Sequence, residues 1–302
     1  MVSLSPIVLF VYNRPSHTKL TVESLQKNDL SQESELFIYS DAAKDDTTVE
    51  NVNKVREYIK SIDGFKKITI IEREKNWGLA NSIIDGVTNL VNKFGKIIVL
   101  EDDLVTSKNF LMFMNTTLNT FQSRSDIFSI TGFNYPTKLL EIPKDYKDDV
   151  FLSARCMSWS WGTWKDRWDK IDWDVKDFEA FIRNRQETKS FNQGGKDLTP
   201  MLEKQMNGEI DSWAIRFCYA HYKNKAYCVY PLHSFVNNEG FDGSGVHCSV
   251  DTSLHNDILN NNDFVINKNV KVNLQIQKRF KNIQQKSIIK RILNKITRVI
   301  NG

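Results

Sequence analysis

Short apolar runs alternate with longer segments of helical spacing through the first 125 residues of the chain. Four runs rich in β-branched and aromatic residues predict strands at Ile7–Tyr12, Leu36–Ser40, Ile68–Ile71 and Ile97–Leu100. Apolar residues three and four positions apart predict helices over Ser16–Asn28, Thr47–Ile62 and Gly78–Lys93. Ser16 and Thr47 are residue types that cap helix N-termini. This alternation is typical of a parallel sheet with helices on both faces.

Polar residues follow every predicted strand, at the edge of the sheet where α/β proteins bind their ligands. They are Asn13 and Arg14 after the first strand, Asp41 after the second, Asn76 and Gly78 beyond the third, and Glu101, Asp102 and Asp103 after the fourth. Because the carboxyl ends of parallel strands meet at one edge, we expect these residues to share a cleft.

The acidic triplet Glu101-Asp102-Asp103 ends the apolar run of the fourth strand abruptly. Three adjacent carboxylates repel one another unless they are solvated, protonated or bridged by a cation. A divalent cation with oxygen ligands neutralises a diphosphate efficiently. The triplet therefore predicts a metal site, and the alternative is an acidic strand end that caps the next helix.

The rhythm becomes less regular after Asp126, where turns are frequent and tryptophans are concentrated between residues 159 and 173. No Pro- or Gly-rich linker separates this stretch from the first half. We therefore predict one domain over residues 1–274 with two parts, 1–125 and 126–274.

The last segment, residues 275–302, contains lysines and arginines but no acidic residue. Its apolar residues recur at helical spacing: Ile289, Ile292, Leu293, Ile296, Val299 and Ile300. A basic amphipathic helix of this kind suits the surface of an anionic membrane. The alternative is a helix that packs on its own domain or on a dimer partner.

Composition narrows the class of protein. The chain has 302 residues, of which 40% are hydrophobic and 26% charged, which is typical of a globular protein. The formal net charge of +4 is small for this length and argues against nucleic acid as a partner. The four cysteines form no CxxC pair, and neither a secretory signal nor a membrane-spanning run is found, so we predict a cytoplasmic protein with reduced thiols.

Four segments of the first half together resemble GT-A glycosyltransferases of the family-2 type. They are 10–15 (FVYNRP), 39–41 (YSD), 76–80 (NWGLA) and 99–103 (VLEDD). The acidic triplet is most similar to that of the N-acetylglucosaminyltransferase I group, and the resemblance extends over about residues 5 to 250. It implies a Rossmann-like GT-A sheet in which 1–125 binds a nucleotide sugar and 126–274 faces the acceptor.

The resemblance implies a UDP-sugar donor held by the first-half residues. Asn13 and Arg14 are expected to line the nucleotide pocket, and Asp41 is expected to recognise the base. Asn76 and Gly78 are expected to border the ribose and phosphates. For Asp41 the alternative is a turn cap, which is a frequent role of aspartate.

The same resemblance implies a bound Mn²⁺ or Mg²⁺. Asp103 is expected to contact the metal with Glu101 beside it, and Asp102 is expected to lie nearer the ribose or sugar. The segment 239–247 looks like the glycine-rich segment that closes over donors, which makes His247 a further candidate metal ligand. The alternative for His247 is an ordinary surface histidine.

Two further assignments lie in the second half. The segment 158–164 is similar to an aromatic, glycine-containing wall of the sugar pocket, so Trp161 and Gly162 are candidate donor contacts; the alternative is a core position. An inverting transferase needs a carboxylate to accept the proton of the attacking hydroxyl. Asp211 is the candidate base and Glu209 the reserve, while Asp211 as a helix cap is the alternative.

The resemblance, together with the basic tail, implies a metal-dependent, inverting glycosyltransferase that acts on a glycan or lipid-linked glycan in bacterial surface polysaccharide synthesis, peripherally at the inner membrane. A nucleotidyltransferase is a weaker hypothesis, because no glycine- and lysine-rich loop follows the first strand. A dinucleotide-dependent oxidoreductase lacks its G-x-G-x-x-G signal. A non-catalytic glycan-binding protein on the same fold is the remaining alternative.

Overall fold

A mixed eight-stranded sheet lies at the centre of the computed structural model, which describes residues 4–242, 252–256, 259 and 263–283. The strands are β1 (Ile7–Val11), β2 (Glu35–Ser40), β3 (Lys67–Glu72), β4 (Lys96–Glu101), β5 (Leu104–Thr106), β6 (Ile127–Thr131), β7 (Val150–Ser153), β8 (Trp161–Trp164), β9 (Tyr227–Pro231) and β10 (Val236–Asn238). The large sheet has the order β3-β2-β1-β4-β8-β6-β9-β7, and β5 pairs separately with β10.

Helices cover both faces of this sheet. They are α1 (Pro15–Gln26), α2 (Asp46–Ile59), α3 (Leu79–Phe94), α4 (Phe110–Thr120), α5 (Lys165–Trp168), α6 (Phe178–Arg183), α7 (Arg185–Phe191), α8 (Leu198–Met206) and α9 (Trp213–Lys223). Along β1, Ile7 and Leu9 face one buried cluster, whereas Val8 and Phe10 face the other. Burial on both faces explains why these strands are continuous apolar runs.

The predicted parallel sheet is confirmed for the first half only. Strands β3, β2, β1 and β4 are parallel neighbours, but β8 runs antiparallel between β4 and β6, and β7 runs antiparallel to β9. The sheet is therefore mixed, because the second half of the chain adds strands that run in both directions. The α/β class with helices on both faces is confirmed.

Each predicted helix cap is wrong by two positions. Helix α1 begins at Pro15 with Arg14 as its N-cap residue and no side-chain cap bond. In α2 the cap is Asp45, whose carboxylate accepts the backbone N–H of Thr47 at 3.1 Å. Ser16 and Thr47 therefore lie inside the first turns, since proline favours the first helical position and aspartate is the stronger cap.

Residues 275–283, which belong to the predicted tail, pack against the domain. Positions 274–283 are helical, and Ile276 and Phe280 are each 1% exposed. The Phe280 ring contacts the rings of Tyr135, Phe151 and Tyr230 at centroid distances of 5.4, 6.2 and 5.1 Å. The apolar stripe predicted at 289–300 lies outside the described residues. Across the described part of the chain, no helix has the length and apolarity needed to span a membrane.

Candidate active site

Arg14 and two of the three predicted acids meet where β1 and β4 end. These strands pair in parallel, so the residues that follow them lie side by side. The Nη2 of Arg14 donates to Oδ1 of Asp102 and, at 3.0 Å, to Oδ2 of Asp103. Asn13 lies half-buried in the bend that joins β1 to α1. The structure thus brings together residues that are 88 positions or more apart in sequence.

Burial shapes the charge of this group. Asp102 and Asp103 are 4% and 8% exposed. Burial raises the pKa of Asp102, and the neighbouring guanidinium of Arg14 opposes that rise. Burial would lower the pKa of Arg14, but the two carboxylates raise it on balance, so Arg14 stays charged. The site therefore holds a fixed positive charge between two buried acids.

Glu101 differs from the two acids that follow it. Burial, together with the charges of Asp103 and Asp102, raises the pKa of Glu101 to about 8. The neutral form of Glu101 is therefore favoured more than that of an exposed glutamate, and the metal site of three carboxylates stays a prediction. Within the residues described, no group of three or more His, Cys, Asp and Glu side chains is arranged to hold a metal ion.

A pair of carboxylates nevertheless fits one hard cation. Magnesium-type ions in nucleotide enzymes are usually bound by one or two carboxylates, with the other ligands supplied by water and phosphate oxygens. Asp102 and Asp103 provide this donor set, and both already face a positive charge, that of Arg14. The residues present therefore fit a divalent cation that is completed by the diphosphate of a donor.

The segment around Gly240 lies against Asp103 and Arg14. Pairing of β10 with β5 brings it alongside, and the backbone N–H of Glu239 donates to the carbonyl of Asp103 at 2.8 Å. A side chain at Gly240 would overlap Oδ2 of Asp103 and lie 3.1 Å from Nη1 of Arg14. Only glycine allows the backbone to approach this closely.

We expect Gly240→Ala to disturb this contact. The added methyl group must displace the Asp103 carboxylate, at a cost of about 1–3 kcal/mol by analogy with overpacked cores. Thermal denaturation and calorimetric titration of Mn²⁺ with UDP would measure the effect. Gly95→Ala is a matched control, because it strains a left-handed glycine but has nothing within 4 Å of the added carbon. Equal UDP affinity in both variants would contradict the close contact at Gly240.

Two histidines that were not candidates from the sequence contact the segment around Gly240. The Nε2 atom of His17 lies 3.3 Å from the carbonyl oxygen of Glu239 and 3.2 Å from Oδ2 of Asp242. The Nε2 atom of His255 lies 3.0 Å from Oε1 of Glu239. His17 follows Arg14 by three positions in the helix that starts there, a spacing from which it could have been found. His247 lies outside the described residues.

Asp41 and Asn76 hold the turn after β3. The Asp41 carboxylate accepts the backbone N–H groups of Ala42 and Trp77, each at 2.9 Å, and of Gly78 at 3.0 Å. The amide of Asn76 donates to the carbonyl of Ala42 at 2.7 Å. These bonds favour the turn-cap alternative for Asp41, because its oxygens are occupied by backbone donors. Gly78, with φ of +73°, allows the turn.

Asp211 lies beside the same turn. Its Oδ2 is 3.9 Å from the position that a side chain on Gly78 would take, and its Oδ1 is 3.7 Å from Nη2 of Arg216. The Asp211 side chain is 60% exposed. The cap of α9 is Ser212, whose hydroxyl accepts the N–H of Ile215 at 3.4 Å, so the cap alternative for Asp211 is wrong. An exposed carboxylate next to the predicted donor turn can accept a proton.

Glu209, the reserve base, has different surroundings. It lines a surface depression of about 460 Å³ together with Phe178, Ile182 and Lys204. Its Oε1 accepts a bond from the side-chain amide of Asn207 at 3.3 Å. The two acids therefore face separate environments although they are only two residues apart.

Trp161 and Gly162 lie in the core, so their assignment as donor contacts is wrong. Trp161 is 0% exposed and stacks on Trp168 and Trp213 at 5.7 and 4.7 Å. A side chain at Gly162 would lie 2.9 Å from the carbonyl oxygen of Ile97 on the adjacent strand. Both residues belong to β8, which is buried on both faces, and a buried strand offers no surface to a ligand.

Trp159 is the tryptophan of this segment that contacts the residues next to Gly240. It is partly buried, and its ring meets that of Phe241 edge-on at 5.3 Å. Phe241 follows Gly240, which lies against Asp103. Trp159, two residues before Trp161, is therefore the better candidate for an aromatic wall.

The sequence profile of glycosyl transferase family 2 matches residues 7–182, which is more than half of the chain. The chain belongs to glycosyl transferase family 2. The sequence of this family 2 glycosyltransferase matches no curated protein. The closer similarity of its acidic triplet to the N-acetylglucosaminyltransferase I group stays a prediction.

Three solved structures have a similar chain trace. TarS of S. aureus shares 11% identity over 76% of this chain and 36% of its own, with a TM-score of 0.42. GalNAc-T7 with UDP, GalNAc and Mn²⁺ shares 12% identity over 76% of this chain and 42% of its own, with a TM-score of 0.47. Mannosyltransferase PcManGT from Pyrobaculum calidifontis, in complex with GDP-Man and Mn²⁺, shares 10% identity over 72% of this chain and 74% of its own, with a TM-score of 0.39. Similarities this weak identify neither donor nor acceptor for this chain.

The matched region of this family 2 glycosyltransferase contains Arg14, Asp41 and the acidic triplet. Asp211 and Gly240 lie beyond residue 182. The roles proposed for these two residues therefore rest on the geometry of the structure. The chain covers only 36% and 42% of the lengths of TarS and GalNAc-T7.

Proposed function

We propose that this glycosyltransferase moves a sugar from a UDP-sugar to a hydroxyl of a glycan or lipid-linked glycan, with inversion at the anomeric carbon. The observation that carries the proposal is the meeting of Arg14 with Asp102 and Asp103 at the ends of adjacent parallel strands. Gly240 lies against Asp103 and Arg14. A buried arginine between two carboxylates suits a site for a diphosphate and its cation.

Asp103 and Asp102 would hold a Mn²⁺ or Mg²⁺ ion in this proposal. When bound, such an ion would neutralise the negative charge of the departing diphosphate. Arg14 already contacts both acids, so it must turn toward the phosphates or share the acids with the ion. A guanidinium is well suited to this change, because its planar donors bind phosphate oxygens as readily as carboxylates.

Asp211 would act as the base. The acceptor hydroxyl gives its proton to a carboxylate oxygen of Asp211 as its own oxygen attacks the anomeric carbon, and the nucleoside diphosphate leaves from the opposite face. Arg216, whose Nη2 lies 3.7 Å from Oδ1 of Asp211, would help to orient the carboxylate. Trp159 and Phe241 offer an aromatic wall near the sugar.

A thermal-shift screen of nucleoside diphosphates with and without Mn²⁺ tests the donor assignment. A ligand at 100 times its Kd stabilises the native state by about 2.7 kcal/mol, which corresponds to a shift of roughly 4 °C for a chain of this length. We expect UDP with Mn²⁺ to give the largest shift and UDP alone a smaller one. A larger shift with GDP or CDP would overturn the choice of base, and equal shifts without Mn²⁺ would overturn the metal.

Because the chain belongs to glycosyl transferase family 2, the nucleotidyltransferase hypothesis is dropped. A glycan-binding protein without turnover is separated from an enzyme by release of UDP from UDP-sugars, including slow hydrolysis. A role in bacterial surface polysaccharide synthesis at the cytoplasmic side of the membrane completes the proposal. It draws support from the basic residues of 275–302.

A further inference from the structure

Several lysines with no ion-pair partner among the described residues lie near one end of the large sheet. Strand order places β7 at one end of the large sheet and β3 at the other. The helical residues 274–283 lie at the β7 end, because the Phe280 ring contacts that of Phe151 in β7. This helix is divided: Ile276 and Phe280 face inward, whereas Leu274, Lys278 and Lys281, at helical spacing, share another face.

A second segment adds to this face. Lys189 in α7 and Lys196 in the loop after it are exposed. Lys281 donates to the side chain of Gln193 at 3.3 Å, which places the helix against this segment. Lys196 and Lys189 lie close enough that, after burial, their charges help to lower the pKa of Lys281. Two segments more than 80 residues apart therefore combine into one positive surface.

Among the described residues, no acid forms an ion pair within 4.0 Å with Lys189, Lys196, Lys278 or Lys281. Neighbouring like charges without counter-ions are unfavourable in the free protein. An anionic partner would relieve this repulsion.

We infer that Lys189, Lys196, Lys278 and Lys281, with Leu274, form a basic edge that docks on a bilayer containing anionic phospholipid. Leu274 is 77% exposed beside the cations, a combination suited to the headgroup boundary of a membrane. The sequence beyond 283 adds further lysines and arginines and an apolar stripe, with no acid. A nucleic acid or an acidic protein would use the cations but would gain little from these apolar residues.

This inference names a partner for a surface that the proposed transfer reaction does not use. The acids of the active site follow β4, whereas the helix of the basic edge packs on β9 and β7, and β8 and β6 lie between β4 and β9 in the sheet. Vesicle binding requires no donor, so it can fail while the transferase site stands, and donor binding can fail while the basic edge stands.

Co-sedimentation of the full chain with vesicles tests the inference. We expect binding to equimolar phosphatidylglycerol and phosphatidylcholine, weakening with added salt, and much less to phosphatidylcholine alone. The double variant Lys189→Gln with Lys196→Gln should lower the partition coefficient about 25-fold, roughly fivefold per cation. These two residues lie outside the C-terminal segment, so the variant tests the composite surface rather than the tail alone.

Lys66→Gln with Lys67→Gln is the matched control, because both lysines are exposed at the β3 end of the sheet. It should bind vesicles as the unchanged protein does, and both double variants should keep their Tm and UDP affinity. Equal loss in the two double variants would show a general charge effect and overturn the basic edge. Absence of vesicle binding by the unchanged chain, or retention on heparin without vesicle binding, would also overturn it.

Discussion

Replacement of Asp103 by asparagine is expected to remove Mn²⁺-dependent UDP binding and to lower the transfer rate at least about 100-fold, or about 3 kcal/mol. The amide preserves the shape of the side chain but removes the charge that faces Arg14 at 3.0 Å. Calorimetry with UDP in the presence and absence of Mn²⁺, followed by UDP-release assays, would measure both effects. Thermal denaturation would confirm that the variant folds.

Glu101→Gln is the matched control for this change. Because burial and the neighbouring acids raise the pKa of Glu101 to about 8, its neutral form is favoured, and we expect an amide of the same shape to change the charge less here than at Asp103. We expect a much smaller loss of UDP binding than in Asp103→Asn. If Glu101→Gln proved the more damaging of the two, the assignment of the cation to Asp102 and Asp103 would be wrong.

Asp211→Asn is expected to reduce kcat by about 10²- to 10⁴-fold, the usual contribution of a positioned general base. UDP affinity should change little, since the Asp211 side chain is 60% exposed and makes no bond to the acids of the site. Such a loss of kcat with donor binding retained is the signature of a residue that acts on the acceptor.

Glu209→Gln provides the comparison, because Glu209 lies two residues away yet lines a separate depression. It should keep most of the transfer rate. Should Glu209→Gln lose turnover while Asp211→Asn retains it, the reserve assignment would replace the first. Loss of UDP binding in Asp211→Asn would instead indicate a donor-side role beside Gly78.

The sequence was sufficient for the main elements up to β4, whereas β5 and α4, also in the first half, were not predicted. Ile97–Leu100 was expected as a strand and lies within β4, and Gly78–Lys93 differs from α3 by one residue at each end. Local rules suffice here, because apolar spacing and chain punctuation act within one element. The antiparallel β8 was not foreseen, since strand direction depends on which distant partners a strand meets.

The sequence also determined that Arg14 and acids of the triplet would meet, since parallel strands end at the same edge. Only the tertiary structure decided that Asp102 and Asp103 share the arginine while the pKa of Glu101 is raised, that Trp161 is core and Trp159 contacts Phe241, and that Gly240 lies against Asp103. The physical reason is that burial and charge pairing depend on distances through space between segments far apart in the chain. Spacing along the chain specifies on which face of its own element a side chain lies, but not which residues of other elements it will contact.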